Sequence, residues 1–168
     1  MTDIGAMPAT PDVHVNVAES AVRLGAGVLS AVGLGSCVAI MLYDRSTRVG
    51  AMAHVLLPHA ALSRTPGGAA KYAGSAVAHL LLEMRALAPV HAPVALLAGG
   101  ASMFASLLKG GGINMGDRNV TAARRALDAA GVTIAGEDVG GEHGRSVFFD
   151  VATGTVRVVS IQHGERVL

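Results

Sequence analysis

Cys37 is the only cysteine among the 168 residues, and it stands in the segment Gly33–Asp44, GLGSCVAIMLYD, at the start of an apolar run. His54 follows 17 residues later. A thiol beside an imidazole is the arrangement that nucleophilic cysteine chemistry needs, because the imidazole takes the proton and the two charged forms stabilise each other. The backbone amides of Gly33 and Gly35 are candidates for an oxyanion site near the sulfur.

A β-hairpin would bring the two residues together. The segments on either side of the polar turn Asp44–Thr47 have the composition of strands. If the turn is centred between Arg45 and Ser46, Cys37 stands directly opposite His54, and the Cβ atoms of such a pair are about 4.5 to 5.5 Å apart. A register shifted by one residue would place the two side chains on opposite faces of the sheet.

The same residues also have a structural interpretation. Free cysteine is among the most buried residue types, and a histidine in a strand is often a hydrogen-bonded structural residue. A metal site is disfavoured, because His54 and His59 point to opposite faces of one strand and no second cysteine can complete a zinc site. The run Lys109–Gly112 lacks the Lys-Ser/Thr ending of a phosphate-binding loop and predicts a mobile loop. We expect neither a metal ion nor a cofactor.

The composition is that of a globular protein with an aliphatic core, since hydrophobic residues make up 51% of the chain, charged residues 15% and aromatic residues 3%. We expect one domain over residues 1–168, with a loose N-terminus over residues 1–12. The net charge of +1 and the scattered basic residues argue against nucleic acid or an anionic membrane as a partner. The lone cysteine and an N-terminus without signal-peptide features indicate the cytoplasm.

The segment Leu24–Tyr43 contains no charged residue and is nearly long enough to span a bilayer as a helix. Four glycines and two serines interrupt it. This pattern favours buried strands separated by a turn, so we expect no membrane insertion.

The remaining pattern predicts an α+β protein with mostly antiparallel strands and two main helices. Strands are expected at Val13–Val17, Gly27–Val32, Cys37–Tyr43, Val49–Leu57, Val94–Ala98, Ser146–Val151 and Thr155–Ile161. The clearest helix is expected between Ala69 and Leu87, before Pro89. Its apolar stripe consists of Tyr72, Ala73, Ala76, Val77, Leu80, Leu81, Met84 and Leu87.

A second helix is predicted from an apolar stripe formed by Val120, Ala123, Leu127 and Ala130. Asp117 or Asn119 is the expected N-cap, because short polar side chains accept hydrogen bonds from the first turn. Gly131 is expected just beyond the C-terminal end.

Several blocks follow one another at characteristic spacing: GLGSCVAIMLYD, VGAMAHVLLP, KYAGSAV at Lys71, GGASMF at Gly99, NMGDRNV at Asn114 and EDVGGEHGRSVFFDVATGTVRV at Glu137. Together they resemble the CheD family, the chemoreceptor glutamine deamidases of bacterial and archaeal chemotaxis, over nearly the whole chain. The resemblance implies an α/β/β sandwich similar to that of certain deamidating toxins. It also implies Cys37 as nucleophile and His54 as general base and acid.

By the same resemblance, the expected reaction converts glutamines on the cytoplasmic helices of methyl-accepting chemoreceptors to glutamate through a thioester, with hydrolysis of receptor methyl esters as a side activity. The expected location is the cytoplasm, at chemoreceptor arrays. An alternative function is an adaptor that binds the receptor and a CheC-type phosphatase with little turnover.

One position departs from the family pattern. The family's third catalytic residue is usually a threonine six residues before the cysteine, and Ala31 stands there. Alanine cannot donate a hydrogen bond to an imidazole. Ser30 is adjacent, but in an extended segment it points to the other face. Ser36 or a backbone carbonyl is the candidate replacement, in an orienting or oxyanion role.

Overall fold

The computed structural model describes residues 11–107 and 112–168 of the chain. In these residues the chain forms ten strands and two α-helices. They are β1 (Val13–His14), β2 (Ser20–Leu24), β3 (Val28–Leu34), β4 (Val38–Asp44), β5 (Val49–Val55), α1 (Ala73–Leu87), β6 (Val94–Gly99), α2 (Met115–Ala129), β7 (Thr133–Val139), β8 (Arg145–Asp150), β9 (Thr155–Ser160) and β10 (Gly164–Val167). The predicted loose N-terminus and the run Lys109–Gly112 lie largely outside the described residues.

The strands form two five-stranded sheets. One sheet has the order β1-β3-β8-β9-β10 and the other has the order β2-β5-β4-β6-β7. Neighbouring strands are antiparallel except for the pairs β1/β3 and β6/β7, which are parallel. The predicted α+β class with mostly antiparallel strands is therefore confirmed.

Two apolar clusters divide the molecule into three layers. In the first cluster, alternate residues of β4 and β5, such as Ile40 and Ala53, pack against α1 and α2. In the second, the intervening residues, such as Met41 and Met52, pack against residues of the other sheet that include Phe149. The β2-β5-β4-β6-β7 sheet is thus the middle layer of an α/β/β sandwich, as the family resemblance implies.

The burial of β4 explains its unbroken apolar sequence. All seven residues from Val38 to Asp44 are buried, because helices cover one face of the strand and a second sheet covers the other. The uncharged segment Leu24–Tyr43 is accordingly divided between β3 and β4, with a break at Gly35–Cys37. Across residues 11–107 and 112–168, no helix is long and apolar enough to cross a membrane.

Both helices lie where the apolar stripes predicted them, with corrections at their ends. Leu87 of α1 is 48% exposed and Ala130 after α2 is also exposed, so neither belongs to the core. The predicted N-cap of α2 was wrong. Asn114 caps this helix by accepting a hydrogen bond from the backbone N–H of Asp117 at 3.1 Å. Gly131 has a φ of +69° just beyond the helix, as expected for a residue that ends it.

Candidate active site

The register of the β4-β5 hairpin differs by two residues from the prediction. His54 pairs with Ala39, not with Cys37, and Asp44 pairs with Val49. The turn therefore centres one residue later than predicted. Its position is set by the carboxylate of Asp44, which accepts hydrogen bonds from the backbone N–H and the hydroxyl of Ser46. The predicted direct opposition of Cys37 and His54 was wrong.

A shift of two residues preserves the face on which a side chain lies. Cys37 packs against the cluster between the sheets, as does Ala39, the cross-strand partner of His54. Extending the register by one pair makes Cys37 and His54 diagonal neighbours, which are typically about 7 to 8 Å apart. Among the hydrogen bonds of the described residues, none joins the two side chains directly. Both nevertheless face the same side of the sheet at the ends of adjacent central strands.

The imidazole of His54 is oriented by a backbone carbonyl. His54 is 4% exposed, and its Nδ1 donates a hydrogen bond to the carbonyl oxygen of Val15 at 3.0 Å. A carbonyl only accepts, so the proton of the neutral ring is on Nδ1 and the lone pair is on Nε2. The residue after β1 thus fixes the tautomer that leaves Nε2 able to accept a proton.

Burial favours the neutral form of both Cys37 and His54 through its effect on their pKa values. It raises the pKa of the Cys37 thiol, an effect partly offset by the backbone N–H of Cys37 itself. Burial also lowers the pKa of His54, and the charge of His14 lowers it further, although the bond to Val15 opposes these effects. The predicted pair of thiolate and imidazolium is therefore not the form that this environment favours in the free protein.

The loop that carries Cys37 is held by the end of β6. Gly100 donates its N–H to the carbonyl of Cys37 at 2.8 Å, and Ala101 donates its N–H to the carbonyl of Gly35 at 2.8 Å. Gly99 makes this approach possible, because it has a φ of +103° and a Cβ there would lie 2.3 Å from the carbonyl oxygen of Cys37. The glycines of the GGASMF block therefore shape the backbone around the thiol.

The structure changes the candidates for the oxyanion site. The N–H of Gly33 donates to the hydroxyl of Ser146 at 3.1 Å, so this amide is already occupied. The N–H of Cys37 lies close enough to its own sulfur to lower the thiol pKa. It is therefore a candidate to meet the negative charge that develops on the carbonyl oxygen when the sulfur bonds to the carbonyl carbon.

Ala31 lies in the buried core between the sheets and is 0% exposed. It offers no hydroxyl to His54, whose Nδ1 is bonded to Val15 instead. The neighbouring Ser30 lies 3.4 Å from His14 through its Oγ, on the exposed side of β3. Ser30 therefore points away from the core, as expected for the residue next to Ala31 in a strand.

Ser36, the residue before Cys37, lines a cleft of about 320 Å³. The rim of this cleft includes Met103, Phe104 and Ile113, which are 50%, 67% and 61% exposed. Large apolar side chains exposed side by side next to a cleft are typical of a surface that binds a partner. The cleft gives the loop of Cys37 an apolar approach from solvent.

Two contacts at the site could not be assigned from the sequence motifs. The Val15 carbonyl is a backbone group and has no sequence signal. Asn119 is fully buried and donates through Nδ2 to the carbonyls of Ser36 and Leu56. The sequence pattern identified Asn119 only as a possible N-cap, one residue before the apolar stripe of α2 begins at Val120. In the part of the chain that the structure describes, no three histidine, cysteine or acidic side chains form a group that could hold a metal ion.

The sequence of the chain is similar to a family model and to known proteins. A family model described as CheD chemotactic sensory transduction matches residues 56–160. The chain is 41% identical over 157 residues to a probable chemoreceptor glutamine deamidase CheD of Pyrococcus abyssi, covering 93% of this chain and 96% of that protein. It is 40% identical over 153 residues to the chemoreceptor glutamine deamidase CheD of Thermotoga maritima, covering 90% and 94%. The chain therefore belongs to the CheD family.

Proposed function

We propose that this protein is a chemoreceptor glutamine deamidase in which Cys37 is the nucleophile and His54 is the general base and acid. The observation that carries the proposal is the placement of both side chains on the inner face of the central sheet, with His54 held by Val15 in the tautomer that can accept a proton. The names of the relatives, chemoreceptor glutamine deamidase, supply the substrate class.

The first half of the reaction forms a thioester. The Nε2 atom of His54 takes the proton of the Cys37 thiol as the sulfur attacks the side-chain carbonyl carbon of a glutamine. The oxygen becomes negative and meets the N–H of Cys37. The imidazolium of His54 then gives its proton to the amide nitrogen, the C–N bond breaks, and ammonia leaves.

The second half regenerates the enzyme. His54, again neutral, takes a proton from water, and the resulting hydroxide attacks the thioester carbon. The C–S bond breaks, the proton returns from His54 to the sulfur, and glutamate is released. A glutamyl methyl ester would give the same thioester with methanol as the leaving group, so methyl-ester hydrolysis is a compatible side reaction.

A neutral Cys37 thiol and a neutral His54 imidazole in the free protein are compatible with this mechanism. Burial raises the pKa of the thiol and lowers the pKa of the imidazole, so in this mechanism His54 takes the thiol proton as the sulfur attacks a bound substrate carbonyl. A substrate that closes the site brings the diagonal pair into contact, since catalytic hydrogen bonds often tighten only in the complex. Val15 takes over the orienting role of the absent threonine, and Ser36 remains a candidate orienting or oxyanion group because it lines the cleft.

The substrate site that we propose is the cleft beside Ser36. Its exposed apolar residues fit the apolar face of a receptor helix, and the glutamine would reach from that helix toward Cys37. This activity would place the protein at chemoreceptor arrays in the cytoplasm, where such helices are found.

The same apolar rim supports an adaptor function as the second candidate. A CheC-type phosphatase that binds there would compete with a receptor fragment for the protein. Binding of both partners at once, each with its full affinity, would exclude a shared surface.

Mass spectrometry of a receptor fragment tests the proposed function. Conversion of an amide to an acid adds about one mass unit at each modified glutamine. We expect this change with the parent protein and not with Cys37→Ala or His54→Ala. Binding of the fragment without any mass change would favour the adaptor.

A further inference from the structure

Asn119 connects the two strands that carry the proposed catalytic pair. It is 0% exposed, and its Nδ2 donates to the carbonyl oxygen of Ser36 at 2.9 Å and to that of Leu56 at 3.0 Å. Ser36 immediately precedes Cys37, and Leu56 lies two residues beyond His54. A single amide group therefore bridges the backbone beside the nucleophile and the backbone beside the base.

This bridge lies where the β-ladder has ended. The last β4-β5 pair toward Cys37 is Val38 with Val55, so the peptide between Ser36 and Cys37 is outside the ladder. On the other strand, the N–H of Leu56 bonds to the carbonyl of Lys71 and no longer to β4. Without Asn119, the two partly buried carbonyls of Ser36 and Leu56 would lose this donor at the point where the strands separate.

We propose that Asn119 is a positioning residue that fixes the Ser36–Cys37 peptide relative to His54. The inference rests on the proposed function, in which Cys37 is the nucleophile. Asn119 does not cap α2, because Asn114 has that role. The Oδ1 of Asn119 is buried and has no hydrogen-bond partner among residues 11–107 and 112–168. The hydrogen bonds of this side-chain amide are therefore the two that its Nδ2 donates, and both go to backbone carbonyls beside the proposed catalytic pair.

A second contact from α2 supports the same role. Gly116, three residues before Asn119, packs so closely on the backbone of Gly100 that a Cβ would lie 2.4 Å from the Gly100 oxygen. Gly100 in turn donates its N–H to the carbonyl of Cys37. One face of α2 thus holds the peptides on both sides of the Cys37 side chain, directly through Asn119 and indirectly through Gly116.

The test compares Asn119→Ala and Asn119→Ser with Leu127→Ala, a substitution in the buried stripe of the same helix. We measure kcat and KM on a chemoreceptor cytoplasmic fragment under conditions where thermal unfolding shows each variant to be folded. A displaced nucleophile should lower kcat by about 10- to 100-fold in Asn119→Ala, with KM within about twofold. Asn119→Ser keeps one donor and should lie between Asn119→Ala and the parent, whereas Leu127→Ala should lose stability and keep its kcat.

Alkylation of Cys37 by iodoacetamide gives a readout that does not require turnover. Release of the loop should expose the thiol and shift its alkylation midpoint to lower pH in Asn119→Ala, but not in Leu127→Ala. A kcat within about twofold of that of Leu127→Ala, together with an unchanged midpoint, would overturn the inference. Deamidation by the Cys37→Ala variant at the rate of the parent would instead overturn the proposed function. The two failures are therefore distinguishable.

Discussion

His54 donates its Nδ1 proton to the backbone carbonyl of Val15 at 3.0 Å. The bond joins a side chain of the middle sheet to the segment that follows β1. The backbone N–H of Val15 in turn donates to the carbonyl of Ser30 in β3. In the proposed mechanism, this carbonyl has the orienting function that a hydroxyl or carboxylate has in other Cys-His sites. We therefore expect the orientation of the imidazole to be independent of the residue at position 31.

Substitution of Ala31 tests that independence. A neutral imidazole has one N–H, which Val15 already accepts, so Ala31→Thr should change the deamidation rate by less than about twofold. The added methyl and hydroxyl enter a fully buried site and should cost about 1 to 3 kcal/mol of unfolding free energy. Turnover and chemical denaturation measured on the same samples check both points. A rate increase of about tenfold would show that the hydroxyl is the missing group.

The pH dependence of turnover reports on His54. The imidazole acts as a base only when neutral, and burial lowers its pKa from 6.5, so the acid limb of the rate profile should have its midpoint below pH 6.5. The charge of His14 lowers the same pKa. His14→Gln should therefore move the acid limb to higher pH without abolishing activity. An acid limb above pH 6.5 in the parent would contradict a buried base.

Substitution of Gly99 tests the backbone around Cys37, and substitution of Gly131, which also has a positive φ, is the matched control. Gly99 has a φ of +103° and its Cβ would lie 2.3 Å from the carbonyl of Cys37, whereas Gly131 has a φ of +69° and no atom within 4 Å of its Cβ. Gly131→Ala should cost about 1 kcal/mol and leave turnover intact. Gly99→Ala should cost more and reduce turnover by at least tenfold, because Cys37 must move. Equal turnover in the two variants would contradict a role of Gly99 in positioning Cys37.

The sequence allowed the layers to be predicted better than the site. Apolar runs identified β4 and β5, and the stripe of α1 identified its buried face, because these elements depend on burial alone. The strands β2, β7 and β10 contain no buried residue, since their pairing partners and not a buried face of their own define them. They were therefore missed.

Cys37 and His54 could be proposed as nucleophile and base from residue types, spacing and the family resemblance, but the register of their strands could not be predicted. The two-residue error arose in the turn, where Asp44 bonds to Ser46 and to the distant backbone of His91 and Ala92. Contacts of Val15 and Asn119 with the site depend on which segments the fold brings together. Neither kind of information is present in a local pattern.

Asp44 anchors that turn, and its contribution should depend on pH. Burial alone would raise its pKa, but hydrogen bonds from Ser46, His91 and Ala92 hold the pKa well below its usual range. A lowered pKa stabilises the fold above the unfolded-state pKa of about 4, and this stabilisation is lost as the pH falls below it. Asp44→Ala should cost roughly 2 to 4 kcal/mol at pH 7. Denaturation curves should show a smaller difference near pH 3, and a pH-independent difference would contradict this account.

Cys37 as nucleophile is the central claim, and the covalent intermediate tests it most directly. A chemoreceptor cytoplasmic fragment is mixed with the protein, quenched in acid within one turnover and analysed by intact mass spectrometry. We expect an adduct with the summed mass of the two chains less one ammonia, about 17 mass units, attached at Cys37 and released by hydroxylamine. Deamidation of the fragment by Cys37→Ala at the rate of the parent would contradict it.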